Sequence, residues 1–486
     1  MGAGGGAVRR AGGRLRRLAR SRTASRDPGE QPNILLVMTD QQRWDALGCV
    51  SDWVRTPHMD RIAAEGVLFR QAYTNSPLCI PARVSLSLGR YPHNHGVWGN
   101  RRYTLPASAP TWMRAVQEAG YATSVFGKTH LHPHKGDLRD REPLMHAYGL
   151  EHVDEIAGPR ASVRCRSNLT DLWEQAGLYD VYRRDIKGRL RDVPWVARPS
   201  PLPLDLYPDV YVGRQAATHL RTYSGDRPWF CWVSFSGPHE PWDVPEPYAS
   251  RYDPGAMPAP LRVEDPGPRS RPRGSLDDRL ADPVPFREGE VGRLRANYAG
   301  NLELIDDQVG GLLEVVAERG ELDRTVIALV SDHGEMNGDF GLLYKQNFLD
   351  PAVRVPFAVR LPDSHPDRTP GLVSDALVEL MDLGATLGEL AGAQPADRSY
   401  ARSVVPVLTG RAVAHRSHVV SELKGEVMVS TDEWKCVLNA SGEIYLLVDR
   451  SADPQETRNI AGSPDAADAE NTMRRTALQA LLSSMQ

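Results

Sequence analysis

Four short apolar runs in this sequence end in residues that could do chemistry. Asn33 to Met38 runs into Thr39-Asp40-Gln41-Gln42, and Tyr121 to Phe126 into Gly127-Lys128-Thr129-His130. Trp229 to Phe235 runs into Ser236-Gly237-Pro238-His239, and Thr325 to Val330 into Ser331-Asp332-His333-Gly334. Two acidic ends, Asp40 and Asp332, suit a hard divalent cation, which prefers oxygen ligands. Gln41 could add an amide oxygen and His333 an imidazole nitrogen, making the site softer than an all-oxygen cage. Lys128 and His130 stand two apart, so in an extended segment they point to one side. With His239 and Lys345 they make two ammonium groups and two imidazoles around a cation. Transfer of an anionic group needs that set: charge neutralisation plus proton donors and acceptors.

Singly, each of these residues has an ordinary explanation. Asp40 after a strand is a cap, and Asp332-His333-Gly334 is a turn. His132 and His134 lie beside His130, so histidine is locally common, while His239 and Lys345 read as loop and surface residues. The four ends become informative by arriving together. A fifth stretch, Ser76 to Arg90, reads SPLCIPARVSLSLGR and sets Cys79 at a helix start with Arg83 one turn in. Cys79 reads three ways: a small buried hydrophobe, a thiolate favoured by a helix N-terminus and Arg83, or part of a longer C-x-P-x-R pattern.

The elements that must position these residues follow from periodicity. Short buried strands alternating with helical segments, such as Pro110 to Ala119 and Asn297 to Arg319, predict an α/β fold with a mostly parallel sheet covered on both faces. Ligands bind such sheets beyond the carboxyl ends of the strands, where the four polar ends converge. Residues 131–205 and 241–290 are Pro-, Arg- and Asp-rich with weak periodicity, and read as long binding loops or lids. A strand over Val355 to Leu361 and a helix over Val373 to Leu390 close the large unit. Beyond Gly392 the segments HVVSEL, EVMVST, EWKCVLN and EIYLLV predict a small antiparallel sheet, with a last helix from Asp465. The expected division is a tail over 1–31, a catalytic domain over 32–392 and a small C-terminal α+β domain over 393–486.

Composition narrows the classes. The chain has 486 residues and a net charge of −4, which gives no reason to expect nucleic acid as a partner. No apolar run is long enough to span a bilayer, and the Gly/Ala/Arg-rich first thirty residues lack the apolar core of a secretory signal. They read as a disordered extension, and a cytoplasmic location is expected. Five scattered cysteines are not a disulfide framework. Of 58 basic residues only six are lysine, so each lysine carries more information than an arginine does.

Cys79-Ile80-Pro81-Ala82-Arg83, continuing to Gly89-Arg90-Tyr91-Pro92, resembles the signature of the formylglycine-dependent (type I) sulfatases of the alkaline phosphatase superfamily. TDQQR at 39–43, GKTH at 127–130, PHEP at 238–241 and SDHGEMNGDFGLLYK at 331–345 agree with that family in kind and order. The closing EIYLLVDRSADPQETRNIA is similar as well, so the resemblance spans about residues 32 to 462. The DQQR form and the YKQNF segment are similar to the bacterial choline-sulfatase and arylsulfatase-like branch. The resemblance implies that Cys79 is oxidised by a maturation enzyme to formylglycine, an aldehyde that hydrates to a geminal diol. Asp40, Gln41, Asp332 and His333, with position 79, would hold a divalent cation, Ca2+ first and Mg2+ or Mn2+ as alternatives. Arg83 and Lys128 would orient the diol and His130 would take its proton. His239 and Lys345 would grip the sulfate oxygens, and one of them would protonate the leaving alcohol.

The expected activity is hydrolysis of a small-molecule alkyl or aryl sulfate ester, with no nucleic acid or membrane partner and oligomer formation left open. Two rivals stand beside it. One is a formylglycine-dependent phosphonate monoester hydrolase or phosphodiesterase, since the same cradle fits both tetrahedral anions. The other is a catalytically silent binding protein in which Cys79 stays a thiol.

Overall fold

The structure is a computed structural model that describes residues 1–2, 31–100, 103–193, 195–395 and 398–485. The expected tail over 1–31 lies almost wholly outside the described residues. Eight strands form the main sheet, in the order Leu372–Ser374, Val67–Phe69, Phe357–Arg360, Thr325–Ser331, Asn33–Asp40, Trp229–Pro238, Ala122–Gly127 and His152–Glu155. Every neighbouring pair is parallel except the two made by Phe357–Arg360, which runs against both its partners. The mostly parallel sheet expected from the buried apolar runs is present.

The central strand Asn33–Asp40 shows how the sheet is covered. Ile34, Leu36 and Met38 enter one apolar cluster with Trp112, Met113, Val84 and Leu387, which belong to helices Trp112–Glu118, Cys79–Leu88 and Asp382–Leu390. Leu35 and Val37 face the opposite cluster with Val309, Leu312, Val212 and Ile62, from helices Glu290–Glu318, Pro208–Thr222 and Pro57–Glu65. Strand side chains alternate between faces, so an uninterrupted apolar run is the pattern that two covered faces require.

The C-terminal strands Val419–Leu423, Glu426–Ser430, Trp434–Leu438 and Ile444–Asp449 pair antiparallel in sequence order. One face of this sheet packs on Tyr73, Leu78 and Phe348 from the larger part of the chain. The other face packs on Met473, Ala477 and Ala480 of helix Ala467–Ser483.

Some expectations differ from what is observed. Residues 131–205 are not an open loop: strand His152–Glu155 and helices Asn168–Gln175 and Tyr179–Asp192 lie within them. The last helix is strongly polar; among its described residues Tyr182 and Ile186 are buried in the apolar cluster facing the sheet and Tyr179 packs against it, and that sparse stripe hid it. The expected helix over Val373 to Leu390 is shorter, Asp382–Leu390, because its first part forms strand Leu372–Ser374 and pairs Val378–Glu379 with Ala72–Tyr73.

Candidate active site

Sheet register brings the polar ends to one edge. Thr39 pairs with Ser331, Asp40 with Pro238, and Gly127 with Ser234, so Asp40, Asp332, Lys128 and His239 all leave the sheet on the same side. Helix Cys79–Leu88 points its N-terminus at that edge and is buried throughout. No side chain caps it through Leu78; Ile80 N–H instead donates to Asn100 Oδ1 at 3.0 Å. Pro81 sits at the third helical position, where its missing N–H is one the helix leaves unpaired.

Arg83 reaches up from that helix as a buried strut. Its Nε donates to Asp332 Oδ2 at 2.7 Å, its Nη2 to Asp40 Oδ2 at 3.0 Å, and its Nη1 to the Lys128 carbonyl and Ser234 Oγ at 2.5 and 3.0 Å. Lys128 Nζ lies 2.5 Å from Asp40 Oδ2. The Cys79 sulfur is 3.0 Å from His333 Nε2 and 3.9 Å from Asp40 Oδ1. His333 Nδ1–H donates to the Gly334 carbonyl at 3.0 Å, which turns Nε2 toward the cluster. Ligand atoms of Asp40, Cys79, Asp332 and His333, all buried, lie within 4.8 Å of one another, a candidate metal site. Two carboxylates and one imidazole fit a divalent cation, and a cation would neutralise carboxylates that are otherwise shut away from water.

Burial alone would raise the Cys79 thiol, as it does Cys231 and Cys436, both pushed up to about 12. Instead the charges of Lys345, Lys128 and His333, with His130 alongside, hold Cys79 well below the usual thiol range. Burial and the Cys79 charge would raise Asp40 too, but Lys128, His239 and Arg83 bring it far down. Burial and the Asp40 charge raise Asp332. His130 is kept neutral by burial and by Lys128 and His134 nearby. Its ring lies 4.3 Å from that of His134. Behind them Glu155 accepts from Thr129 and lies 2.7 Å from His132 Nε2 and 3.4 Å from His134 Nε2.

At the rim, His239 Nε2 lies 2.9 Å from Lys345 Nζ and 4.0 Å from Asp40 Oδ1. Gln41 comes to the same place, but its amide oxygen accepts from Lys345 while its amide nitrogen donates to Glu335 and, at 2.9 Å, to Glu240 Oε2. Glu240, Glu335, Arg160 and Tyr344 were not singled out in the sequence. Arg160 Nη2 reaches both Glu240 Oε1 at 3.2 Å and the Tyr344 hydroxyl at 3.1 Å. Only the Glu of PHEP and the Glu of DHGE carried a signal, namely their place beside chemistry-bearing histidines.

A family profile described as "Sulfatase" matches residues 32–393, and a second, "N-sulphoglucosamine sulphohydrolase, C-terminal", matches residues 338–482. An arylsulfatase of Clostridium perfringens is 28% identical over 465 residues, covering 93% of this chain and 94% of its own. A choline-sulfatase of Rhizobium meliloti is 28% identical, covering 89% and 83%. The crystal structure of a phosphonate monoester hydrolase of Agrobacterium radiobacter superposes with a TM-score of 0.77 at 25% identity, covering 94% of this chain and 96% of that one. Among the described residues no helix is long and apolar enough to cross a membrane.

Proposed function

The chain belongs to the sulfatase family of enzymes, in the alkaline phosphatase superfamily, and on that premise we propose that it hydrolyses a small alkyl or aryl sulfate ester at position 79. The state of Cys79 carries this reading. A fully buried thiol sits at a helix N-terminus, and the cationic side chains and histidines around it favour negative charge, unlike the other buried cysteines. Asp40, Asp332, His333 and position 79 are assigned to a divalent cation, Ca2+ in our reading, with Gln41 bordering the set. When bound, the cation supplies charge stabilisation at a sulfate oxygen. Formylglycine, made from Cys79 by a maturation enzyme, supplies a hydrated aldehyde as nucleophile.

The side chains present then divide the work. Arg83 fixes both carboxylates and so sets the distance between Asp40 and Asp332. Lys128 orients the group at position 79 and offsets its charge. His130, kept neutral beside position 79, is the base that takes its proton. The His239–Lys345 pair, held together at 2.9 Å, faces the sulfate, and one of them passes a proton to the departing alcohol oxygen. The walls at Asp40, Cys79, Asp332 and His333 exclude bulk water, which strengthens each of these interactions.

Mass spectrometry of the Cys79 peptide, from protein made in its own host, tests the reading: formylglycine is expected, and a plain thiol overturns it. The likeness to a phosphonate monoester hydrolase supports a second reading, in which phosphonate monoesters are preferred. The ratio of kcat/KM on 4-nitrophenyl sulfate to that on a phenyl phosphonate ester separates the two, and a clear preference for phosphonate would replace the first reading.

A further inference from the structure

We propose that Glu240 is the positioning residue for the proton donor on the leaving-group side, holding the His239–Lys345 pair in the orientation that serves the departing oxygen. This rests on the functional reading above. Glu240 is 4% exposed and lies one residue beyond His239. Its Oε2 is 3.2 Å from His239 Nδ1, 2.9 Å from Gln41 Nε2 and 4.0 Å from Lys345 Nζ, and its Oε1 is 3.2 Å from Arg160 Nη2. Four polar side chains thus converge on one buried carboxylate.

The geometry dictates the tautomer. His239 Nδ1 is 2.7 Å from the Glu240 backbone carbonyl, which can only accept. Nδ1 therefore carries a proton, the Glu240 carboxylate supports it from the side, and Nε2 is left to face Lys345 Nζ. Gln41 closes the frame: its amide nitrogen donates to Glu240 and its oxygen accepts from Lys345, so ring and ammonium are both referenced to the same carboxylate. When the ester S–O bond breaks, its electron pair stays on the alcohol oxygen. Lys345 Nζ gives one hydrogen to His239 Nε2 and one to Gln41 Oε1; its third goes as a proton to that oxygen, leaving a neutral amine. A carboxylate that orients an imidazole from behind is the arrangement by which hydrolytic triads hold their base.

The consequence is selective. A 4-nitrophenolate leaves without help, whereas a simple alkoxide needs the proton, so loss of positioning must show in the leaving-group dependence. Glu240→Ala is expected to lower kcat on ethyl sulfate about 100-fold and on 4-nitrophenyl sulfate by less than about 5-fold, the first being the ordinary worth of general acid catalysis. Glu240→Gln keeps the volume and guards against collapse of the loop; its losses on the two esters are expected to differ by about 10-fold in the same direction. Equal losses on both esters in both variants, or no loss on either, would overturn the proposal. Wild-type turnover of 4-nitrophenyl sulfate tests the functional reading, and the variant ratio tests Glu240, so the two failures are distinguishable.

Discussion

At the floor of the site, Asp40, Arg83, Asp332 and His333 are completely buried and Cys79 is 1% exposed. At the rim, the His239 side chain is 12% exposed and Arg160 39%. The floor hangs from strand ends and one buried helix, so sheet register sets its distances. The rim hangs from loops whose backbone is forced: Asn337, Phe340, Tyr344 and Gln346 all adopt positive φ, a conformation costly for side chains other than glycine. The difference separates two tasks. The floor carries the nucleophile position and the candidate cation set, while the rim carries the leaving-group proton and opens the site to solvent at His239 and Arg160.

The largest effect is expected at Cys79. Cys79→Ala removes the nucleophile position, and kcat on 4-nitrophenyl sulfate should fall about ten-thousand-fold or more. A buried swap of similar size should leave stability within about 1 kcal/mol, read by urea unfolding. Near-normal turnover would mean that the floor does not carry the chemistry.

Arg83→Met tests whether the floor is a charge network rather than mere packing. Methionine fills the volume but leaves Asp40 and Asp332 facing one another without their shared cation. Breaking a buried ion pair this way costs about 3–5 kcal/mol. In metal-depleted protein the full loss should appear as a lower urea midpoint, and added Ca2+ should recover part of it by neutralising the same carboxylates. A loss no larger than that of an exposed arginine would put the floor and the rim on one footing.

The same contrast explains what the sequence made legible. NILLVM, TVIALV and WFCWVSF announce buried parallel strands, and whatever follows such a run must emerge at the ligand edge. Asp40, Asp332, Lys128 and His239 were readable for that reason, and Cys79 and Arg83 through a motif of fixed spacing. Arg160 was not, and Glu240 and Glu335 only by standing near motif histidines, because a Glu or Arg in a loop looks the same whether it is solvated or folded back onto a site. Their partners lie far along the chain: Gln41 is nearly 200 residues from Glu240 and nearly 300 from Glu335. Helix Tyr179–Asp192 escaped for a related reason, since its apolar face is only a few residues wide.

Acid should act on the rim through Glu240. Burial alone would raise its carboxyl, but His239, Lys345, Arg160 and the Gln41 hydrogen bond bring it down to about 2 from 4.5. A carboxyl depressed on folding contributes stability that is whole above about pH 4.5 and is lost as pH falls toward 2. Its ceiling is about 3 kcal/mol. Glu335, raised by burial and by the Glu240 charge, works in the opposite sense and trims the net effect. Urea midpoints from pH 7 to 2.5 should therefore show a shallower acid limb in Glu240→Gln than in wild type. An unchanged limb would show that the rim carboxylate is not electrostatically tied to its neighbours.

Arg160 gives the smallest effect and the finest distinction. Its guanidinium stands 5.3 Å over the Tyr344 ring and pairs with Glu240, yet it is more than a third exposed, so its removal should cost at most about 1 kcal/mol of stability. If the rim serves recognition, Arg160→Ala should raise KM a few-fold for an ester with a bulky alcohol, leaving kcat within about 2-fold, the signature of lost uniform binding. If kcat falls instead while KM holds, Arg160 acts through Glu240 on the His239–Lys345 pair. Exposure would then not distinguish the rim side chains that serve recognition from those that serve the proton transfer.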